Sequence, residues 1–131
     1  MDKKIIFIAD FFLDEIFGGV ELVNEEIIKG LEDRDYQVQK LKCVNVTDDQ
    51  LNGSIFISNF IQLSDEMKLK LQNCNYCIIE HDHKYVLERD VSGYKDYVVP
   101  PNKIINREFY INAKHVYCQS KLHSDVVSKN V

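Results

Sequence analysis

Five short apolar runs alternate with amphipathic patterns along this chain. The first run, Ile-Ile-Phe-Ile-Ala at residues 5–9, is unbroken. Apolar side chains on both faces are typical of a central parallel strand that helices cover from either side. Four later runs, which are shorter or partly alternating, predict further strands at residues 36–41, 55–60, 76–79 and 115–118.

Helical patterns fill the segments between these strands. After Gly18 and Gly19, apolar residues recur three and four positions apart, which predicts an amphipathic helix. Its apolar stripe is expected to consist of Val20, Val23, Ile27 and Leu31. Further helices are expected to begin after residues of types that cap helix N-termini, namely Ser64, Asn102 and Ser120.

The alternation of strands and helices predicts the fold class. We expect an α/β domain with a Rossmann-like, doubly wound, mostly parallel sheet of about five strands and helices on both faces. Residues 1–131 are expected to form one such domain. The expected spatial order of the strands is 3-2-1-4-5, with the first and fourth strands adjacent. Open α/β sheets bind their ligands at the carboxyl ends of the strands.

Composition narrows the classes of partner. The chain has 131 residues and a formal net charge of −5, which argues against nucleic acid because phosphate contacts depend on Lys and Arg. No apolar run approaches the roughly 18 residues of a membrane-spanning helix, and the first run is too short for the ~7–15-residue core of a signal peptide. We therefore expect no transmembrane segment and a cytoplasmic location. The four cysteines are expected to be free thiols, with Cys77 and Cys118 buried.

The paired glycines lie between the first strand and the first helix. Backbone N–H groups at a helix N-terminus can meet an anion, and glycine lets a ligand approach the backbone closely. Asp10 ends the strand, and it could orient an acceptor hydroxyl or cap the glycine loop. The alternative is that Gly18 and Gly19 only let the helix start close to the sheet.

A polar cluster, Glu-His-Asp-His at residues 80–83, follows the fourth strand. An imidazole titrates near neutral pH and can donate or accept a hydrogen bond. If the strand continued, His81 and His83 would point to the same side, so either could enter a cleft at this edge. The alternative is a solvated strand end.

Cys74 and Cys77, followed by two histidines, raise the question of a zinc site. Zinc needs four ligands in a tetrahedral arrangement. Cys74 is expected to end a helix and Cys77 to begin a buried strand, and His-x-His departs from the spacing of common zinc sites. We therefore expect no metal site.

Four motifs, in order, resemble the N-terminal domain of glycosyltransferases with the two-Rossmann-domain (GT-B) architecture, specifically the large retaining family 4 group. Gly-Gly-Val-Glu at 18–21 resembles that family's Gly-Gly-Ala-Glu helix start, and Ile-Ile-Glu-His-Asp at 78–82 resembles its strand ending in a histidine. Arg107-Glu108 falls where the family often has a basic–acidic pair. Residues 115–126 resemble its segment around the last strand and helix.

The resemblance implies transfer of a sugar from a nucleoside-diphosphate sugar to a sugar acceptor, with the nucleotide sugar as co-substrate and no other cofactor. It implies that His81 contacts the transferred sugar as the catalytic residue and that Gly18 and Gly19 face the cleft. With the edge residues Asp10 and His83, these glycines make up the candidate binding set.

The family's C-terminal domain, which holds the donor and carries a Glu-x7-Glu motif, has no counterpart in these 131 residues. The chain therefore resembles the acceptor-side half, which is expected to be inactive without a donor-binding domain or a second chain. The alternative is a stand-alone, non-catalytic α/β module that binds a ligand or another protein. A phosphorylatable receiver domain is a variant of this module; it needs an acidic cluster and a lysine at the strand ends, for which the chain offers Asp10 and, after the fifth strand, only Lys121.

Overall fold

The computed structural model describes residues 3–131 as five β-strands and four α-helices. The strands are β1 (Lys4–Ala9), β2 (Gln37–Lys42), β3 (Ser54–Ile57), β4 (Asn75–Ile79) and β5 (Val116–Tyr117). The helices are α1 (Gly19–Asp33), α2 (Asp65–Leu71), α3 (Arg107–Ile111) and α4 (Lys121–Asn130). This confirms the predicted α/β, Rossmann-like class.

All strand pairs in the sheet are parallel, and the spatial order is β2-β1-β3-β4-β5. The predicted order 3-2-1-4-5 is therefore wrong, because β3 lies between β1 and β4. Burial explains the difference. Ile55 and Ile57 of β3 are almost fully buried, whereas no residue of β2 is, so β3 occupies the interior and β2 the edge. The chain changes direction across the sheet between β1 and β3, which makes their carboxyl ends the topological switch point.

The two faces of the sheet are covered unequally. The main core lies on the side of α2, α3 and α4, where Ile6, Ile8 and Ile57 of the sheet pack against residues such as Leu71 and Phe109. A smaller core lies on the side of α1 and consists of Phe7, Ala9, Phe12, Ile28 and Ile79. Among the helices of residues 3–131, only α1 therefore covers the second face.

Helix α1 buries a different stripe from the one predicted. Its buried residues are Glu21, Asn24 and Ile28, and Val23 of the predicted stripe is 41% exposed. The helix is rotated because Asn24 hydrogen-bonds to a side chain at the end of β3, as described below. Two polar residues thus replace valines on the buried face.

The predicted helix caps are confirmed at two of three positions. The hydroxyls of Ser64 and Ser120 each accept a backbone N–H three residues on, at 3.1 Å. Asn102 does not cap a helix, because it lies in a short 3₁₀ turn, Pro101–Lys103. Instead α3 begins after Asn106, which has a left-handed backbone conformation with φ 57°.

All four cysteines are free, as predicted. Cys43 is the buried one, while Cys77 and Cys118 are partly exposed, so the prediction that these two are buried is wrong. Cys77 lies in β4 and Cys118 directly follows β5, the edge strand. Within residues 3–131 no helix is long and apolar enough to cross a membrane.

Candidate functional site

The carboxyl edge of the sheet collects the polar residues singled out above, but it does so in several separate groups. Asp10 follows β1, Ser58 follows β3, and residues 80–83 follow β4. Because β3 separates β1 from β4, the predicted contact between the ends of those two strands does not occur. Helix α1 makes the connection instead, through Asn24.

His81 lies at the centre of a hydrogen-bond network on the α1 side of the sheet. Its Nε2 lies 2.9 Å from the Ser58 hydroxyl and 3.2 Å from the Asn24 side-chain oxygen. The Ser58 hydroxyl donates to the same Asn24 oxygen at 2.9 Å. On the other side of the ring, the Gln119 amide nitrogen lies 3.1 Å from Nδ1. The network therefore joins α1 to the ends of β3, β4 and β5.

These partners fix one tautomer of His81. With the Gln119 amide donating to Nδ1, the ring proton is on Nε2, and the N–H donates to the Ser58 hydroxyl. The pKa of His81 is lowered to about 4, mainly by burial and also by the nearby positive charges of Lys84 and His123. At neutral pH the imidazole is therefore uncharged, and its Nδ1 is a hydrogen-bond acceptor directed toward the exposed Gln119.

The Ser58–His81 contact resembles a nucleophile and its base, but Ser58 cannot act as a nucleophile in this arrangement. Its side chain is fully buried, and its hydroxyl proton is donated to Asn24 rather than to the imidazole. A serine nucleophile must be accessible and give its proton to the base. Ser58 and Asn24 therefore hold the His81 ring in position and take no part in nucleophilic attack.

The buried Asn24 is only half satisfied. It is 1% exposed and its side-chain oxygen has two partners, but its side-chain nitrogen has none among the described residues. An unmade buried hydrogen bond costs about 1–3 kcal/mol. Asn24 thus positions Ser58 and His81 at some expense of stability.

Gly18 and Gly19 differ in what surrounds them. A Cβ at Gly18 would stand 2.5 Å from the carboxylate of Glu21, which folds back over the start of α1, whereas nothing lies within 4 Å of a Cβ at Gly19. Glu21 is 8% exposed. Its negative charge disfavours a phosphate beside Gly18. A ligand can therefore approach this helix N-terminus at Gly19, next to the Glu21 carboxylate, which accepts hydrogen bonds.

Asp10 holds a turn. Its two carboxylate oxygens accept the backbone N–H groups of Ile61 at 2.9 Å and Gln62 at 2.8 Å, and its side chain is 5% exposed. It therefore caps the turn after β3, and neither its hydrogen bonds nor its exposure connect it to the glycine loop. Asp10 is placed apart from His81, which lies on the opposite side of the sheet.

His83 also lies apart from His81. The strand pairing of β4 ends at Ile79, so the alternation that would have put both histidines on one side does not continue. His83 Nδ1 lies 2.8 Å from the Tyr85 hydroxyl, and its ring packs edge-on against His123 of α4. The expectation that the two histidines point the same way is wrong.

Lys84 is the polar residue that sequence reasoning missed most completely. It is 1% exposed, and its Nζ lies 2.6 Å from Glu80 Oε1 and 2.6 Å from Asp82 Oδ1. The Tyr110 hydroxyl donates to the other oxygen of Glu80. Burial raises the pKa of Glu80, while Lys84 and Tyr110 oppose that rise. A lysine at the start of a loop gives no sequence signal of burial.

The other supporting residues were missed for similar reasons. Asn24 falls outside the apolar stripe of its helix, and Ser58 and Gln119 are ordinary polar residues at strand ends. Only the position of Ser58 and Gln119 directly after apolar runs could have marked them as edge residues.

No metal site is formed by the residues that the structure describes, in the sense that no three His, Cys, Asp or Glu side chains converge. Cys74 packs against the main core, where its thiol donates to the Lys70 carbonyl at 3.6 Å. Cys77 alternates with Tyr76 and Ile78, which face that core, so it points to the other side of the sheet.

Comparison of the chain with models of protein families, with curated proteins and with solved structures gives no match.

Proposed function

We propose that this chain is the acceptor-side half of a glycosyltransferase that takes its sugar from a nucleoside-diphosphate sugar. The proposal starts from the sequence resemblance to GT-B N-terminal domains. The observation that carries it is the neutral His81, held at the carboxyl edge of the sheet with its Nδ1 available to accept a hydrogen bond.

A sugar hydroxyl suits this histidine better than an anion does. The ring is uncharged, and its N–H is already donated to Ser58, so Nδ1 can only accept. A ligand hydroxyl would replace the exposed Gln119 amide as the donor to Nδ1. In this proposal Ser58 and Asn24 fix the ring, and His81 orients the hydroxyl.

The start of α1 supports the same class of ligand. Asn24 and Gly19 are five residues apart, which is about 7.5 Å along the helix axis. The Glu21 carboxylate and the open space at Gly19 lie at this end of the helix. A carboxylate accepts hydrogen bonds from hydroxyls and repels phosphates, which favours an acceptor sugar over the donor diphosphate on this side. The donor would then be held by a second domain or chain.

The first test concerns the isolated chain. It should transfer no sugar, and calorimetric titration with common nucleotide sugars should give no binding tighter than the millimolar range. Micromolar binding of a nucleotide sugar by the isolated chain would contradict the half-enzyme proposal.

The second test uses the chain joined to a donor-binding domain that carries Glu-x7-Glu. His81→Ala should lower transfer about tenfold or more, because a hydrogen bond to the acceptor is lost. Gly19→Val should lower it as well by filling the open space at the helix start. Gln119→Ala should preserve transfer, since the ligand replaces that amide. His115→Ala is the matched control, because His115 is exposed and precedes β5 at the opposite edge.

A non-catalytic interaction module is the second candidate, and one observation favours it. On the thinly covered face of the sheet, an apolar cavity of about 300 Å³ is lined by Ile27, Phe56, Ile79 and Tyr117. Tyr117 is 50% exposed. A downstream reading frame encoding Glu-x7-Glu would favour the glycosyltransferase, and a natural stop codon directly after residue 131 would favour the module.

A phosphorylatable receiver is not supported, although its strand order matches this sheet. That fold needs an acidic cluster and a lysine at the strand ends. Here the Asp10 carboxylate accepts hydrogen bonds from the turn after β3, and the residues that follow β3, Ser58 and Asn59, are not acidic. Lys121 forms an ion pair with Asp125 of its own helix at 3.2 Å.

A further inference from the structure

A second cavity at the carboxyl edge lies on the opposite side of the sheet from His81. It measures about 260 Å³ and is bounded by the turn after β3, by α2, by the loop after β4 and by the segment before α3. Its lining consists of Phe60, Ile61, Lys68, Lys84, Leu87, Arg89, Ile105 and Asn106. Three of these residues are cationic, and within the described part of the chain none of the lining residues is acidic.

The cations are held in place by specific partners. Lys84 is fixed by Glu80 and Asp82, each at 2.6 Å from its Nζ. The Asn106 side chain accepts a hydrogen bond from Lys68 at 3.0 Å and donates to the Lys84 carbonyl at 2.9 Å. Asn106 therefore ties together the two segments that carry Lys68 and Lys84.

Both ammonium groups also lie near the same aromatic ring. The Nζ atoms of Lys68 and Lys84 are 5.7 Å and 5.3 Å from the centroid of Phe60, within the range of cation–π contact. The buried ring holds the two positive charges near one another at the inner wall of the cavity.

Arg89 completes the cationic lining. Its guanidinium is 3.7 Å from Asp82 and its side chain is 53% exposed. Its backbone φ is 59°, a left-handed conformation that is unfavourable for a residue with a side chain. Such strained positions are concentrated at sites that clamp ligands.

Acids pair with each of these three cations but do not line the cavity. The Asp82 carboxylate contacts both Lys84, at 2.6 Å, and Arg89, at 3.7 Å, and Glu80 lies 2.6 Å from Lys84. Asp65 is 3.6 Å from Lys68 but 99% exposed. Since none of these carboxylates is among the lining residues, an anion inside the cavity would meet the cations first. The rim is apolar, because Ile61, Leu87 and Ile105 are 53%, 57% and 37% exposed.

We propose that this cavity binds a phosphate monoester that carries an apolar substituent. The phosphate would be bound by Lys68, Lys84 and Arg89, and the substituent would lie against Ile61, Leu87 and Ile105. The volume lies just below the range of about 300–1,000 Å³ for drug-sized ligands, which suits a phosphate with a short stretch of chain. The proposal depends on this cavity alone and not on the function assigned to His81.

The test is calorimetric titration of the chain with hexyl phosphate, inorganic phosphate and 1-hexanol. Hexyl phosphate should bind more tightly than either of the other two. Lys68→Gln, which keeps a donor for Asn106, and Arg89→Gly should each weaken its binding about tenfold or more. Arg89→Gly should not lower the thermal midpoint, because glycine removes the left-handed strain.

Matched controls are Lys70→Gln on the same helix as Lys68 and Arg34→Gln directly after the end of α1, both outside the cavity. Neither should change the affinity. Vesicles of phosphatidylcholine with and without phosphatidic acid then distinguish the source of the ester. Binding to phosphatidic acid vesicles that Arg89→Gly abolishes assigns a lipid, and binding to hexyl phosphate alone assigns a soluble ester.

Three results would overturn the proposal. These are the absence of hexyl phosphate binding, equal affinity for inorganic phosphate and hexyl phosphate, and binding that the control substitutions weaken as much as Lys68→Gln and Arg89→Gly do.

Discussion

The protonation of His81 should couple directly to folding. Its pKa is lowered from an ordinary value of 6.5 to about 4 in the folded chain, mainly by burial. The folded state therefore favours the neutral ring, as the network with Ser58 and Gln119 requires. The resulting stabilisation is present above pH 6.5 and is lost as the pH falls toward 4.

The size of this effect follows from the two pKa values. With 6.5 in the unfolded chain and about 4 in the folded chain, His81 removes about 2 kcal/mol of unfolding free energy between pH 7 and pH 4.5. That is a large fraction of the ~5–15 kcal/mol that stabilises a typical domain.

The assay compares wild type with His81→Gln by urea unfolding across this pH range. Glutamine can still hydrogen-bond to Ser58 but cannot titrate, so carboxylates elsewhere cancel in the difference between the two proteins. The stability advantage of wild type should shrink by about 2 kcal/mol from pH 7 to pH 4.5. His115→Gln, which replaces an exposed histidine outside the network, serves as the control for the loss of a histidine as such.

A direct measurement can refute the reasoning independently. If a nuclear magnetic resonance titration gave His81 a pKa near 6.5, or if the difference between wild type and His81→Gln stayed constant with pH, then the ring is not held neutral. The proposed role of Nδ1 as an acceptor would then fail as well.

Three further substitutions test the structure around the site. Lys84→Met should lower the unfolding free energy in urea at pH 7 by about 3–5 kcal/mol, because it leaves Glu80 buried without its cation. The loss should shrink at lower pH as Glu80 takes up a proton. A loss below about 1 kcal/mol would mean that the ion pair is solvated. Asp10→Ala should cost about 1–3 kcal/mol, since two backbone N–H groups lose their acceptor, and hydrogen exchange at Ile61 and Gln62 should accelerate. Ile6→Ala should cost about 2–5 kcal/mol by opening a cavity in the main core, and a two-state urea curve with an unchanged midpoint would contradict the burial of Ile6.

The position of β3 in the sheet could not be predicted from the sequence, although its existence as a strand could. Each apolar run predicts a strand because the pattern of burial is local, and a parallel sheet follows from the alternation with helices. The order of the strands depends on how completely the other strands and the helices bury each run, which is not a local property of the sequence. The fully buried Ile57 fits between β1 and β4, and the partly exposed β2 fits only at an edge.

The sequence by itself determined the elements of this protein: the buried first strand, the helix that starts after Gly18, and the serine caps at Ser64 and Ser120. These features depend on residues within a few positions of one another, so a linear pattern records them.

Only the tertiary structure decided which polar groups meet. Ser58 and His81 are 23 residues apart, Asn24 and His81 are 57 apart, and Asp10 bonds to backbone groups 51 and 52 residues away. A side-chain hydrogen bond forms over about 3 Å and has no period along the chain, so nothing in the sequence marks its partner. Burial of Lys84 is decided in the same way, because the carboxylates that make it tolerable come together only when the loop after β4 folds over the sheet edge.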